Sequence, residues 1–306
     1  MILVAGSTGA LGTEIVQRLR AQGKPVRALV RSSSAAAKVA HLRDLGAEIA
    51  MGDLTDRGSL DRACAGVATV LSTVTMISTA QQHDSFADTD AEGTKQLIDA
   101  ARAAGARQFL FVSFNADDPM PDSPLVSAKR AVERHLHASG LTWTILRPGL
   151  FMELWLGPML FADMDAGTAK IYGRGDLGVR YVATCDVAEV AVRALDASSA
   201  RNAVIAFGGP DAITQREAVH IFEEAFGKTL ALTEVPEAAL AAQWQGANNP
   251  FEKTFSSLML SVARGHPERL DPPPRELGIE KMTSVRDFAG RRAAMSGPGP
   301  GASTTG

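Results

Sequence analysis

The tightest constraint on what this chain can fold into lies at its start. The apolar run Met1-Ile2-Leu3-Val4-Ala5 breaks into three glycines, Gly6, Gly9 and Gly12, and then resumes in helical periodicity. A continuous apolar run suits a strand buried on both faces of a parallel sheet. Glycines at three-residue spacing suit a turn whose backbone approaches another group more closely than a Cβ allows. Leu11, Ile15, Val16 and Leu19 predict a helix over residues 10–21. The N–H groups and positive dipole end of that helix face back on the turn, so an anion, most naturally a pyrophosphate, belongs there. The spacing is Gly-x-x-Gly-x-x-Gly rather than the usual Gly-x-Gly-x-x-Gly fingerprint, and a glycine-rich turn without a ligand is the bland alternative. The order strand, turn, helix favours the nucleotide.

Five more apolar segments read as strands, at residues 25–30, 47–51, 67–72, 108–113 and 142–146. Helical patterns fall between them at 36–45, 59–64 (capped by Asp56), 83–104 and 123–139. Six strands separated by helices predict an α/β, Rossmann-like, doubly wound parallel sheet over residues 1–150. Beyond Pro148 the pattern loosens. Short strands at 169–172, 179–182, 202–207 and 230–234 alternate with helices at 187–195 (capped by Asp186), 214–226, 251–263 and 283–294 (capped by Thr283 or Ser284). These elements predict a smaller C-terminal substrate-side α/β subdomain over 151–296, interwoven with the sheet, and the Gly/Pro-rich 297–306 reads as a disordered tail.

Composition excludes several classes of function. A net charge of −3 on 306 residues, with no basic cluster, argues against a nucleic-acid footprint. Apolar stretches are broken by charge well short of a membrane span, and Met1 leads straight into strand-like sequence, so the protein is expected in the cytoplasm. Cys64 and Cys185 lie far apart, and the six histidines (His41, His83, His135, His137, His220, His266) share no ligand spacing, so neither a disulfide nor a metal site is expected.

The strand ends carry the candidate site. Arg31 closes the second strand, with Ser32, Ser33 and Lys38 beyond it and no competing carboxylate, which favours a 2′-phosphate and hence NADPH over NADH; a solvated strand-end arginine is the alternative. Asp53 can accept from an adenine amino group while Leu54 packs on the ring. Thr73 and Val74 follow the fourth strand, and Ser113 ends the fifth. Asn115, Asp118, His135 and His137 are further polar candidates, the two histidines reading as surface residues. Lys129 lies on the first helix after Ser113, at the ligand end of the sheet, which favours a cofactor role; an exposed helix lysine paired with Glu133 at i+4 is the alternative. Phe151 and Trp155 lie in an aromatic run that lines a pocket or fills a core. Phe255 and Met259 sit on a helix that packs as core or closes over an aromatic substrate.

Val4-Ala5-Gly6-Ser7-Thr8-Gly9-Ala10-Leu11-Gly12, Arg31, Gly52-Asp53-Leu54, Asp90-Ala91-Glu92-Gly93-Thr94, Phe111-Val112-Ser113, Ser127-Ala128-Lys129, Thr144-Ile145-Leu146-Arg147-Pro148-Gly149 and Cys185-Asp186-Val187-Ala188 together resemble the atypical short-chain dehydrogenase/reductases, and within them the NmrA-like family of quinone and enone reductases and redox-sensing regulators. The resemblance runs from Met1 to about Ala197. It implies that Gly6, Thr8, Gly9, Leu11 and Gly12 surround the pyrophosphate, that Arg31 meets the 2′-phosphate, and that Asp53 and Leu54 flank adenine. It also places Thr73, Val74 and Ser113 near the nicotinamide ribose and gives Lys129 the ribose-binding, pKa-tuning role. One departure matters: the standard motif is Tyr-x-x-x-Lys, and here Leu125 stands four residues before Lys129. A quinone or other conjugated acceptor needs little acid help, because its developing anion is delocalised. The sequence therefore points to an NADPH-dependent oxidoreductase acting on a conjugated or aromatic small molecule. The alternatives are a non-catalytic NADPH-sensing regulator working through a protein partner and an isomerase or epimerase. A homodimer stays open.

Overall fold

The computed structural model describes residues 1–77, 85–115, 121–264 and 270–296. The first half alternates strands and helices: β1 (Ile2–Ala5), α1 (Ala10–Ala21), β2 (Val26–Val30), α2 (Ala36–Asp44), β3 (Glu48–Met51), α3 (Arg57–Cys64), β4 (Thr69–Ser72), α4 (Thr94–Ala103), β5 (Gln108–Val112), α5 (Pro124–His137) and β6 (Thr142–Pro148). The expected long helix over 83–104 is different in kind. Phe86–Gly93 is π-helical and α4 follows it, while His83 lies outside the described residues. A Cβ on Gly93 would come 2.7 Å from the Leu54 Cβ, so glycine lets this stretch press against the loop after β3.

The second half supplies α6 (Met152–Trp155), β7 (Ala162–Asp163), β8 (Thr168–Tyr172), β9 (Gly178–Val179), α7 (Thr184–Asp196), β10 (Ala203–Phe207), β11 (Ile213–Thr214), α8 (Gln215–Phe226), β12 (Ala231–Val235), α9 (Glu237–Gly246), α10 (Pro250–Arg264) and α11 (Val285–Met295). β12, β8 and β7 form a small sheet, and β11 pairs with β9. The large sheet has seven strands in the order β10-β6-β5-β4-β1-β2-β3, all parallel. The strand expected at 202–207 thus joins the large sheet, with Ala203 opposite Thr144 and Phe207 opposite Pro148.

Successive side chains of the central strands point to opposite faces, and both faces are covered. Val4 packs with Ile15, Leu19 and Val190 of α1 and α7. Leu3 packs on the other side with Leu60, Leu97 and Phe109 of α3, α4 and β5. Since the chain builds β2 and β3 on one side of β1 and β4 to β6 on the other, order reverses between β1 and β4. A crevice opens at their carboxyl ends, where sheets of this kind hold ligands.

Phe207 is fully buried among β6 and α7 residues although it lies far along the chain. Phe207→Ala is expected to cost about 3–5 kcal/mol, read as a lower urea midpoint at unchanged slope; an effect below about 1 kcal/mol would show that β10 is dispensable to the large sheet.

Candidate active site

The backbone at the switch point is shaped by what a side chain would strike. Gly6 has φ +80°, and a Cβ there would lie 2.5 Å from Thr73 Oγ1, while a Cβ on Gly12 would overlap the Gly6 carbonyl oxygen. The Gly9 N–H donates to that oxygen at 3.0 Å, and the buried Ser7 hydroxyl ties the turn to Leu29 O at 2.7 Å. The N-cap of α1, Gly9, offers no side-chain acceptor, its first turn carries no acid, and Arg18 and Arg20 sit in its last turn. No side chain of α1 therefore competes with an anion at its N-terminus, and the glycine turn, which only a chain without Cβ atoms at Gly6 and Gly12 can close, leaves a cradle that fits a pyrophosphate.

A cavity of about 450 Å³ runs across the carboxyl ends of the strands. Arg31, Asp53 and Leu54 line one end. Gly6, Thr8, Gly9, Leu11 and Gly12 form the middle, with Thr73, Val74, Ser113 and Lys129 opposite; Phe151 and Trp155 line the far end. Ser32 and Lys38 do not share this wall. Both are exposed, and Ser34 lines the wall instead, its hydroxyl accepting from the Arg31 N–H at 3.1 Å. Asp53 is braced by its own loop, accepting from Thr55 N at 2.9 Å and Thr55 Oγ1 at 2.7 Å.

Three residues expected in the substrate pocket lie off this wall. Asn115 is buried with neither amide atom hydrogen-bonded among the described residues, Phe255 packs 4.6 Å from the Phe251 ring, and Met259 is core. Phe114, Glu153 and Leu154 line the far end in their place. His135 meets Asp99 at 2.9 Å and His137 tilts against Trp143, both away from the cavity. Asp118 and His266 lie outside the described residues.

Beneath the cavity are two buried carboxylates that spacing alone did not mark. Lys129 does not pair with Glu133. Its Nζ donates to Val74 O at 2.5 Å and lies 3.2 Å from Asp90 Oδ1, while Asp90 Oδ2 accepts from Met76 N–H at 2.9 Å. Asp90 is fully buried on the π-helical stretch and clips both Lys129 and the loop after β4. Glu133 instead accepts from Ser113 Oγ at 2.5 Å, from Arg130 at 2.6 Å, and from Arg147 through two bonds of 3.0 and 2.6 Å. Burial pushes the Glu133 carboxyl upward, but the bonds from Arg147 and Ser113 and the charge of Arg130 outweigh it, and the net shift is down from 4.5. Because the Ser113 proton is committed to Glu133, its lone pairs are what face the cavity.

No described wall residue is Tyr, His or Cys. Leu125 lies on the wall packed with Met76 and Phe86, where it can give no proton. Tyr172 donates to Leu160 O with its phenol pushed up to about 12 by burial, and the buried Tyr181 phenol is pushed higher still; neither lines the cavity. At the far end α7 begins at Thr184, two residues before the expected cap. Its first N–H is held by both Glu153 oxygens, at 3.0 and 3.1 Å, whereas Asp186 accepts from Thr283 N–H at 2.7 Å. Among the described residues no group could hold a metal ion, and no helix is long and apolar enough to cross a membrane.

Sheet, switch-point crevice and anion cradle together define a Rossmann-like nucleotide-binding protein. A profile described as the NmrA-like family matches residues 1–262, and the chain belongs to the NmrA-like family. It is 30% identical over 301 residues to the (4-alkanoyl-5-oxo-2,5-dihydrofuran-3-yl)methyl phosphate reductase of Streptomyces griseus, covering 97% of this chain and 100% of that one. It is 31% identical over 304 residues to the NAD(P)H azoreductase of Xenophilus azovorans, covering 97% and 99%. It is also 31% identical over 240 residues to the chloroplastic protein High Chlorophyll Fluorescence Phenotype 244 of Arabidopsis thaliana, where the match takes in 78% of this chain but only 59% of the relative's length. The fold matches the leucoanthocyanidin reductase of Vitis vinifera in its binary complex with NADPH at a TM-score of 0.78, with 21% identity over 96% of this chain and 99% of that one. It also matches the Citrobacter sp. triphenylmethane reductase complexed with NADP(H) at 0.76, with 22% identity over 96% and 100%.

The Glu133 cluster makes stability depend on pH with a definite sign. The folded carboxyl binds its proton less readily than the unfolded one, so its contribution is complete above the ordinary value of 4.5 and is lost as pH falls through the lowered folded value. Glu133→Gln, which leaves two guanidinium groups facing a neutral amide, is expected to cost about 3 kcal/mol at pH 7. It should also flatten the decline in stability below pH 4.5, measured by urea titrations at several pH values. Parallel pH profiles for the two proteins would show that Glu133 titrates normally.

Proposed function

We propose that this chain is an NADPH-dependent reductase that delivers hydride to a quinone, enone or related conjugated aromatic acceptor. As a member of the NmrA-like family with reductase relatives along its whole length, it is an NAD(P)H-dependent oxidoreductase; the reduced phosphate cofactor and the conjugated acceptor are the finer reading. One observation carries it. A single cavity joins the anion cradle of α1 to an apolar, aromatic end, and its described wall offers no phenol, imidazole or thiol. When bound, the reduced nicotinamide supplies hydride, and the protein contributes alignment and electrostatics.

Arg31 at the end of β2 suits a 2′-phosphate. In this reading Lys129, held by Val74 O and Asp90, donates to ribose hydroxyls, and Ser113, whose proton goes to Glu133, accepts from them. Phe151 and Trp155 line the end where a flat acceptor would pack, and help exclude water from the transfer. Leu125 withholds the proton that a simple carbonyl would need, which selects acceptors whose developing charge is delocalised. The same leucine favours a second reading, a protein that binds NADPH, turns over nothing and acts through a protein partner.

Loss of 340 nm absorbance with a panel of quinones, enones and aromatic aldehydes, after calorimetry with NADPH, tells the two apart. Oxidation with any acceptor class establishes the reductase; tight binding with no consumption moves the assignment to the sensor. Arg31→Asp should weaken NADPH binding about ten- to a hundredfold, the effect of losing one charge-assisted bond of roughly 1.5–3 kcal/mol. An unchanged preference between NADPH and NADH would overturn the cofactor assignment. Lys129→Ala should lower cofactor affinity or turnover, and a variant matching the parent in both would take Lys129 out of the site.

A further inference from the structure

We propose that the far end of the cavity is built for an organic cation, so that the hydride acceptors this protein prefers are positively charged conjugated molecules; the proposal rests on the reductase reading above and names its substrate class. Glu153 is the only charged side chain among the described residues lining that end. Its position is fixed from two sides. Met152 N–H donates to Val182 O and Val182 N–H donates to Leu150 O, which pins the segment beside the start of α7, and both Glu153 oxygens then lie 3.0–3.1 Å from Thr184 N. The aromatic residues Phe114, Phe151 and Trp155 line the same end. A carboxylate attracts a delocalised cation and repels an anion by charge, and aromatic side chains beside it add to that attraction wherever a ring face meets the cation.

Charge also accounts for the missing acid. Hydride carries one hydrogen and two electrons. When it joins the electron-poor carbon of a cationic acceptor, one C–H bond breaks on the dihydronicotinamide and one forms on the acceptor. The dihydronicotinamide is oxidised to its cationic ring, the acceptor is reduced to a neutral product, and no proton is taken up. A neutral quinone or enone leaves a delocalised oxyanion that takes up its proton afterwards, whereas a cation takes up none. Here Leu125 offers none, the Ser113 proton is held by Glu133, and Tyr172 and Tyr181 are buried elsewhere. The Lys129 ammonium on the same wall is held by Val74 O and Asp90, and a described wall with no phenol, imidazole or thiol and with one carboxylate at its substrate end is complementary to an acceptor that needs no proton and carries positive charge.

The test compares a cationic triarylmethane dye with a neutral quinone methide of the same three-ring frame, both of which accept hydride at the central carbon. Dissociation constants are measured by fluorescence on protein loaded with the redox-inert tetrahydro analogue of NADPH, and kcat/KM on protein loaded with NADPH. The cation should bind more tightly, with a preference that shrinks between 50 and 500 mM salt as screening sets in. Glu153→Gln should reduce the ratio of the two affinities roughly three- to fivefold and Glu153→Lys further, in order of charge. Equal affinities at both salt concentrations, or a ratio untouched by either substitution, overturn the proposal. Salt dependence of the parent decides it alone if neither variant folds. Reduction of both acceptors with no preference sinks the charge proposal and leaves the reductase standing. Consumption of neither, with NADPH bound, sinks the reductase reading, and the affinity ratio still decides whether the end holds a cation.

Discussion

The structure depends on a contact too close for any side chain. Where order reverses in the large sheet, the carbonyl of Gly6 lies where a Cβ on Gly12 would be, and the α-carbon of Gly6 backs onto Thr73 after β4. Because the turn after β1 is pressed between its own helix and the neighbouring strand, α1 starts directly above the sheet with its first turn aimed into the crevice. A substituent at either glycine would push helix and strand apart by more than a few tenths of an ångström. The anion cradle and the packing of Val4 on Ile15 and Leu19 would then be lost together, so fold and binding share one constraint.

Below the crevice the chemistry is organised by two buried carboxylates with different duties. Asp90 reaches from the π-helical stretch to Lys129 and to the backbone of Met76, joining three segments that are distant in sequence. Glu133 gathers Ser113, Arg130 and Arg147, fixing the end of β5 against α5 and β6. Neither could be left buried alone, since an uncompensated charge in such a place is costly. Each holds a cavity-facing group, Lys129 in one case and Ser113 in the other, in a single orientation. The wall is therefore arranged before any ligand arrives, which limits the ordering that binding must bring about.

The periodic features of the sequence were enough to read the sheet and the cradle, because a buried parallel strand and a glycine turn are local statements. Asp56 and Ser284 were legible as caps for the same reason, each reaching an N–H three residues on. What escaped depends on long-range contact. The strand at Ala203–Phe207 looks like any short apolar run, and only its pairing with β6 puts it in the large sheet. Asp186 has the residue type and place of a cap, yet Glu153, some thirty residues earlier, takes the role because the Leu150–Met152 backbone pairs with Val182. Lys129 and Glu133 have ideal helical spacing for each other but turn to separate partners brought in by β4, β5 and β6. Phe255 and Met259 show an aromatic and sulfur pattern that suits a lid as well as a core, and the packing of α10 decided for the core.

The replacement at position 125 reaches past one lost side chain. A phenol there would stand beside Lys129 and would make the cavity a place where an oxyanion could be quenched as it formed. Leucine closes that route, and its contacts with Met76 and Phe86 turn the same wall into an apolar surface continuous with the far end. The reaction that such a wall helps most is the one in which charge is already balanced when the hydrogen and its electrons have moved. Preorganised charge accelerates a step only where it meets charge that changes. If the acceptor is the cation proposed for the far end, Glu153 meets its positive charge on binding and loses that partner as the charge passes to the nicotinamide ring, so the carboxylate would favour affinity and selection more than the hydride step itself.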